Sequence, residues 1–239
     1  MQGVKCCAVI GSAGKMGSIA CEALKREQIL PLEISKKSDL TDIIKYAKPC
    51  VALELSNRES VFANSMIVVQ QSVPLIVGAS GLTVLQKETL NRLACRKRVP
   101  VWVIPNFSVA AVAMIQASLV IAQWLPSCEI IEYHHEKKQD APSATSLSTA
   151  QKVSEVQPVH QKYISETAGY VFRDKIPIHS VRTPAVMARQ DVIFAQTGES
   201  LTLSLSQIDR KSFVPGILLT VQKVCTLAPG LHEGLEVGL

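Results

Sequence analysis

Aromatic residues are scarce, at 5% of 239 residues, and charged ones make up 19%. So few rings cannot build the interleaved stacking platform of a nucleic-acid surface, and the net charge of +5 is dispersed. Only Arg96-Lys97-Arg98, Lys36-Lys37 and Lys137-Lys138 stand as basic clusters, so no nucleic-acid partner is expected. The seven cysteines, at 6, 7, 21, 50, 95, 128 and 225, form no C-x-x-C pair and have no histidine at ligand spacing. No metal site is expected, and an odd number of scattered cysteines suits reduced thiols. The first residues run straight into a strand-like segment without a secretory leader, so the expected location is the cytoplasm. Val99 to Cys128 lacks charge altogether and is long enough to span a bilayer, but Pro100, Pro105, Asn106, Ser108, Gln116, Ser118 and Gln123 interrupt it. It reads as a buried strand, a turn at Pro105-Asn106, and a core helix with Ser108 as N-cap, not as a membrane span.

With 47% hydrophobic residues the chain has material for a substantial core. Strand-like and helix-like segments alternate through its first half: Val4 to Ile10, Lys15 to Glu27, Leu30 to Ile34, Leu40 to Tyr46, Cys50 to Leu55, Arg58 to Gln71, Pro74 to Gly78, Thr83 to Arg96, Val99 to Ile104. That order calls for right-handed crossovers and a parallel sheet. Beyond residue 126 the pattern changes to longer strands, Cys128 to His134, Ile178 to Arg182, Val192 to Gln196 and Leu201 to Ile208, with one helix over Ser143 to Val153. Ser154 to Asp174 reads as a long surface loop and Phe213 to Leu227 as a last helix. The fold class is therefore a Rossmann-like parallel-sheet α/β domain plus an α+β domain with a mixed sheet.

Gly11-Ser12-Ala13-Gly14-Lys15-Met16-Gly17 follows the first strand and opens the first helix. Small residues at such a turn let backbone N–H groups approach a pyrophosphate at the helix N-terminus, so a dinucleotide is the expected ligand. Glu33 lies within the second strand, whereas Lys36 and Lys37 stand at its end, where an acid would hold the ribose of NAD. With Lys15, these lysines favour the 2′-phosphate of NADPH over NADH.

Glu132-Tyr133-His134-His135-Glu136-Lys137-Lys138-Gln139-Asp140-Ala141-Pro142-Ser143-Ala144-Thr145 leaves a strand and enters a helix. Two histidines and a lysine before a helix N-terminus capped by Ser143 bring cationic donors and free N–H groups toward one carboxylate.

This segment resembles the E-x-H-H-x-x-K-x-D-A-P-S-G-T signature of the dihydrodipicolinate reductases, with Ala144 in place of glycine. Gly11 to Gly17 is similar to that family's glycine turn, Gly78-Ala79-Ser80-Gly81 to its G-T-T-G, Pro105-Asn106-Phe107-Ser108 to its P-N-F-S, and Arg210, Phe213 and Gly216 to its R-x-x-F-x-x-G. The resemblance implies a dinucleotide-binding domain over 1–107 completed by 213–239, and a substrate-binding and oligomerisation domain over 108–212 whose sheet packs four subunits together. It implies that His134 and Lys138 are the general acids and that His135 and the backbone of Ala144 and Thr145 hold the substrate carboxylates. Gly78, Ala79 and Ser80, with Ile104, Pro105, Asn106 and Phe107, would line the nicotinamide. The implied activity is NAD(P)H-dependent reduction of 4-hydroxy-tetrahydrodipicolinate, a small cyclic dicarboxylate, in diaminopimelate and lysine biosynthesis.

One segment departs from the family pattern R-x-G-x-x-x-G-x-H: here Arg182-Thr183-Pro184-Ala185-Val186-Met187-Ala188-Arg189-Gln190 lacks both glycines and the histidine. It is the one feature that favours an alternative, a non-catalytic NAD(P)H sensor on the same fold, while retention of His134, His135, Lys138 and Ser143 opposes that alternative. A dehydrogenase of another carbonyl or imine would need a different constellation of acids.

Overall fold

The computed structural model describes residues 4–36, 38–157, 170–172, 176–184 and 186–239. The chain forms two compact units, one of residues 1–109 with 213–239 and the other of 110–212.

In the first unit, strands β1 (Cys6–Ile10), β2 (Leu30–Ile34), β3 (Val51–Glu54), β4 (Leu75–Val77) and β5 (Pro100–Val103) alternate with helices α1 (Lys15–Arg26), α2 (Leu40–Ala47), α3 (Val61–Gln70) and α4 (Val84–Lys97). All strands run parallel, in the order β2-β1-β3-β4-β5; β3, β4 and β5 are buried along their whole length, and β1 is buried from Cys7 onward. Such strands need apolar side chains on both faces, which explains runs such as Val51-Ala52-Leu53 and Leu75-Ile76-Val77. Turn chemistry sets the helix ends: Thr83 and Gln86 close a capping box on α4, and the Asp39 side chain caps α2. The expected alternation is observed, with one addition. Gly230–Glu233 is a sixth strand, paired parallel to β5 at the edge of the sheet. The last helical run is shorter than expected: a 3-10 turn at Arg210–Phe213, a helix over Val214–Lys223, and a second 3-10 turn at Val224–Thr226. The close approach of that helix requires Gly216, since a Cβ there would collide with the Phe107 carbonyl.

Among the described residues of the second unit, α5 (Val109–Ile121) and α6 (Ala144–Val156) accompany five strands: β6 (Ser127–His134), β7 (Tyr170–Phe172), β8 (Ile176–Arg182), β9 (Ala188–Gln196) and β10 (Glu199–Gln207). By the same count Val214–Lys223 is α7 and Gly230–Glu233 is β11. The sheet order is β10-β9-β6-β8-β7, with β6 and β8 parallel and the other pairs antiparallel, which is the mixed sheet expected. Alternation sends Cys128, Ile130, Val192, Phe194, Ile176 and Ile178 into one core with Ala150 and Val153 of α6 and Met114 and Ala122. The long surface loop is corrected in two places. Helix α6 continues to Val156, with Ser154 and Gln157 buried and Gln157 Nε2 donating to Pro126 O at 2.7 Å, and Tyr170–Phe172 is a strand paired with β8. Residues 158–169 and 173–174 of that expectation lie outside the described residues.

Candidate active site

The dinucleotide side of the first unit lies where the strand order reverses. Successive crossovers carry the chain from β1 to β2 on one side and to β3 on the other, leaving a crevice at the carboxyl ends of these strands. Gly11, at φ 83°, turns the chain out of β1. A Cβ at Gly17 would collide with Gly11 O, so the turn closes this tightly only with glycine there. Helix α1 begins with Gly14 as N-cap, no side-chain cap and no acid in its first turn, which leaves its positive end open to an anion. A cavity of about 350 Å³ adjoins it, lined by Gly11, Ala13, Gly14, Ile34, Ser35, Lys36 and Ser38, and by Leu55, Ser56 and Asn57 from the loop after β3. These residues fit an adenine dinucleotide: a phosphate-sized approach at the glycine turn and a polar cleft beside it.

Of the residues expected here, Gly11, Ala13, Gly14 and Lys36 line the cavity, Ser12 is buried, and Lys15 and Met16 open α1. Lys37 lies outside the described residues. Glu33 turns away and pairs with Lys25 of α1 at 2.7 Å. Gly78, Ala79 and Ser80 follow β4, and Ile104, Pro105, Asn106 and Phe107 follow β5, all on the same carboxyl edge of the sheet. The Phe107 ring and Leu55 close over Gly78, where a Cβ would strike both. Sequence reasoning missed Glu54. It is fully buried at the end of β3, where it accepts from Ser56 N at 3.1 Å, the Ser56 hydroxyl, and Asn64 Nδ2 at 3.0 Å. Burial pushes its carboxyl above the usual range, against these three donors.

In the second unit, β6 delivers His134 to the mouth of α6. Ser143 caps that helix, its hydroxyl accepting from Ser146 N at 3.1 Å. The N–H groups of Ala144 and Thr145 have no hydrogen-bond partner among the described residues, as the first turn of a helix dictates. Burial holds His134 below its ordinary value; Glu132 opposes that shift, Lys138 and Arg182 reinforce it, and Asp140 opposes it. Lys138 Nζ meets both carboxylate oxygens of Asp140, at 2.8 and 2.7 Å. His135 is half-buried, next in sequence to His134. His134, Ser143 and Thr145 share one small pocket with Ala188, Arg189 and Gln190 of β9 and Leu205 and Gln207 of β10.

The departing segment therefore reaches this site at both ends. Arg182 donates to Glu132 Oε1 at 3.0 Å and to Asp140 O at 2.8 Å, while Gln190 Oε1 lies 2.9 Å from the Ser146 hydroxyl oxygen and Gln190 Nε2 donates to Thr149 Oγ1 at 2.9 Å. Sequence reasoning passed over Glu132, Ser146 and Gln190. The available signal was alternation, since Cys128, Ile130, Glu132 and His134 share the inward face of β6 and a charge there needs partners.

Among the described residues no group of three or more His, Cys, Asp or Glu is placed to hold a metal ion, and no helix is long and apolar enough to cross a membrane.

Comparison with known proteins agrees with this geometry. Residues 6–107 match the family model for the dihydrodipicolinate reductase N-terminus and residues 108–236 that for its C-terminus. The chain is 34% identical over 235 residues to 4-hydroxy-tetrahydrodipicolinate reductase of Legionella pneumophila (strain Lens), covering 95% of this chain and 96% of that one. It is 35% identical over 229 residues to the Coxiella burnetii (strain Dugway 5J108-111) enzyme of the same name, covering 95% of each. A dipicolinate-bound dihydrodipicolinate reductase from Paenisporosarcina sp. TG-14 superposes with a TM-score of 0.85 at 30% identity, over 99% of this chain and 100% of that one. With both halves matched in order and the relatives spanned nearly end to end, the chain belongs to the dihydrodipicolinate reductase family.

Proposed function

We infer that this protein reduces 4-hydroxy-tetrahydrodipicolinate to tetrahydrodipicolinate with NAD(P)H, in diaminopimelate and lysine biosynthesis. The observation that carries this reading is the α6 mouth: two unclaimed N–H groups capped by Ser143, with His134 at the same pocket and Lys138 on the preceding loop. A dicarboxylate suits such a place, because helix N-termini and cationic donors both favour anions. A nicotinamide held beside Gly78 to Ser80 and Ile104 to Phe107 would supply the hydride that the dehydrated substrate's conjugated C=C–C=N system accepts.

The roles of individual residues follow from charge. The backbone of Ala144 and Thr145, with Ser143 and His135, holds the carboxylates. His134, whose proton affinity burial lowers, regains it when two carboxylates arrive beside it, and Lys138 offers its ammonium as they displace Asp140. Either can then protonate the carbon left electron-rich by hydride addition. On the cofactor side, Gly11 to Met16 would hold the pyrophosphate, and Gly78 to Ser80 with Ile104 to Phe107 would hold the nicotinamide. Lys36, Ser35 and Ser38 stand where an acid would favour NAD, which supports a preference for NADPH, with NADH as the weaker donor. The reaction belongs in the cytoplasm, where its reduced cofactor is found.

The test is NADPH oxidation, followed by absorbance, with substrate generated enzymatically in the same cuvette. Turnover dependent on that substrate is expected. Cofactor binding without turnover would instead indicate a sensor.

A further inference from the structure

Glu132 is fully buried, yet its neighbours on the inward face of β6 are Cys128 and Ile130. A buried carboxylate is stabilising only if every oxygen is met by a donor, and these oxygens are met from four directions. Ser143 N, at 2.8 Å, and Ser146 Oγ, at 2.9 Å, donate to Oε2 from the first turn of α6. Ser180 Oγ, at 2.8 Å, and Arg182 Nη2, at 3.0 Å, donate to Oε1 from β8. The same guanidinium donates to Asp140 O at 2.8 Å and Lys138 O at 3.4 Å, and so grips the backbone of the loop that carries Lys138. Oε2 also lies 3.7 Å from His134 Nδ1. One ion pair thus connects the helix mouth, the lysine loop and the histidine. A hydrophobic residue at 132 would strand an N–H, two hydroxyls and the guanidinium, so the arrangement serves position more than stability.

We propose that Glu132 and Arg182 are the positioning residues of this active site, jointly fixing the α6 mouth and the Lys138 loop for a dicarboxylate while the charge of Glu132 favours a proton on His134. The proposal rests on the reduction inferred above. The charged groups facing His134 are Glu132 on its own strand, Lys138 and Asp140 on the loop and Arg182 on β8, with Ser143, Thr145, Gln190 and Gln207 uncharged beside them, while the Arg189 guanidinium is turned to the other face and held by Asp191. Removing Glu132 leaves two cations, Lys138 and Arg182, against Asp140 alone, so the proton on His134 becomes less favourable.

The experiment uses the full chain with NADPH bound, as wild type, Glu132→Gln and Arg182→Lys. It reads the titration midpoint of His134 by NMR, the calorimetric Kd of pyridine-2,6-dicarboxylate, and kcat/KM against pH. Glu132→Gln should lower the His134 midpoint by roughly one pH unit, move the matching kinetic limb to lower pH, and weaken the dicarboxylate about tenfold. Arg182→Lys keeps the charge but loses the fork, so it should weaken the dicarboxylate about tenfold while leaving the midpoint in place. A merely structural pair would lower Tm and leave the midpoint, limb and Kd of the folded protein unmoved. The proposal is overturned if folded Glu132→Gln keeps the midpoint and binds within about twofold of wild type, or, where that variant does not fold, if Arg182→Lys does. Wild type without turnover, but with the shifted midpoint and weakened Kd in the variants, would refute the reductase reading and leave the positioning role standing. Turnover with neither change would do the reverse.

Discussion

Lys138 enters the site already paired, its ammonium held between the two oxygens of an exposed Asp140 carboxylate. An incoming dicarboxylate competes with that single exposed partner, so the ion pair stores the cation without burying it. Lys138→Ala should lower kcat by about two to four orders of magnitude, the usual loss for a positioned acid, and leave the Kd for NADPH unchanged. Near-normal turnover would remove Lys138 from the proton transfer. Glu132 makes a second prediction at this scale. Burial alone would raise its carboxyl, but the donors from Ser143, Ser180 and Arg182 outweigh burial and hold it down to about 2, from an ordinary 4.5. A depressed folded value means stability that is present above the unfolded value and lost as pH falls from roughly 5 toward 2, on the order of 3 kcal/mol in all. Urea midpoints for wild type should therefore fall more steeply over that range than those of Glu132→Gln, which has nothing there to titrate. Parallel slopes would mean that the carboxylate is not held as these distances indicate. For the cofactor, Lys36 lines the cavity and Glu33 is engaged by Lys25, so NADPH should bind more tightly than NADH. The gap should narrow in Lys36→Ala and at high salt, since exposed charge contacts are screened. Calorimetry giving equal Kd values for both cofactors would discard that role for the lysine.

At the level of elements, what periodicity expresses was legible and what pairing alone decides was not. The buried parallel strands announce themselves as apolar runs, and the glycine turn follows from where Gly11 and Gly17 stand relative to β1. Strand β11, Gly-Leu-His-Glu, is four residues of mixed character, and it becomes a strand because the edge of β5 is there to pair with it. Tyr170–Phe172 is likewise a strand by virtue of its pairing with β8. The motif around His134 was legible as a candidate anion site because its residue types carry the chemistry. Its support was hidden, because Ser180, Arg182 and Gln190 are distant in sequence and are brought in by β8 and β9. The departing segment illustrates this. Ala188 pairs with His134 on one side and Gln207 on the other as the first residue of β9, and neither Pro184 nor Ala188 has a positive φ. Glycine is therefore not required at either position. Pro184→Gly with Ala188→Gly should lower stability by ~1 kcal/mol through the looser unfolded chain and leave activity within a few-fold. A large joint change in kcat and KM would show instead that the segment gates closure.

At the scale of the whole molecule, the second unit's sheet has two unlike faces. One is covered by α5 and α6; the other carries Ile131 and Tyr133 of β6, Val181 of β8 and Ile193 of β9, all partly exposed. Around them the polar groups on that face satisfy one another: Glu129 pairs with His179 at 3.0 Å, Asp191 with Arg189 at 2.9 Å, and Arg189 lies over the Tyr133 ring. A face whose charges are already paired and whose apolar residues are not is suited to burial against another protein surface, since little polar desolvation opposes the hydrophobic gain. Closed symmetry makes a second copy of the same sheet the natural partner, and the family resemblance points to four copies. Light scattering should therefore report a homotetramer at micromolar concentration. Ile193→Lys places an unpaired ammonium on that face, and at roughly 2 kcal/mol or more per buried copy it should shift the assembly to smaller species. Ile193 sits toward the Gln196 end of β9, away from the Ala188 end that meets His134, so each dissociated subunit should keep its affinity for pyridine-2,6-dicarboxylate. A wild-type monomer would refute the assembly outright. A tetramer untouched by Ile193→Lys would place the contact on some other surface, and a lost dicarboxylate site in the dissociated variant would mean that the α6 mouth depends on its neighbours.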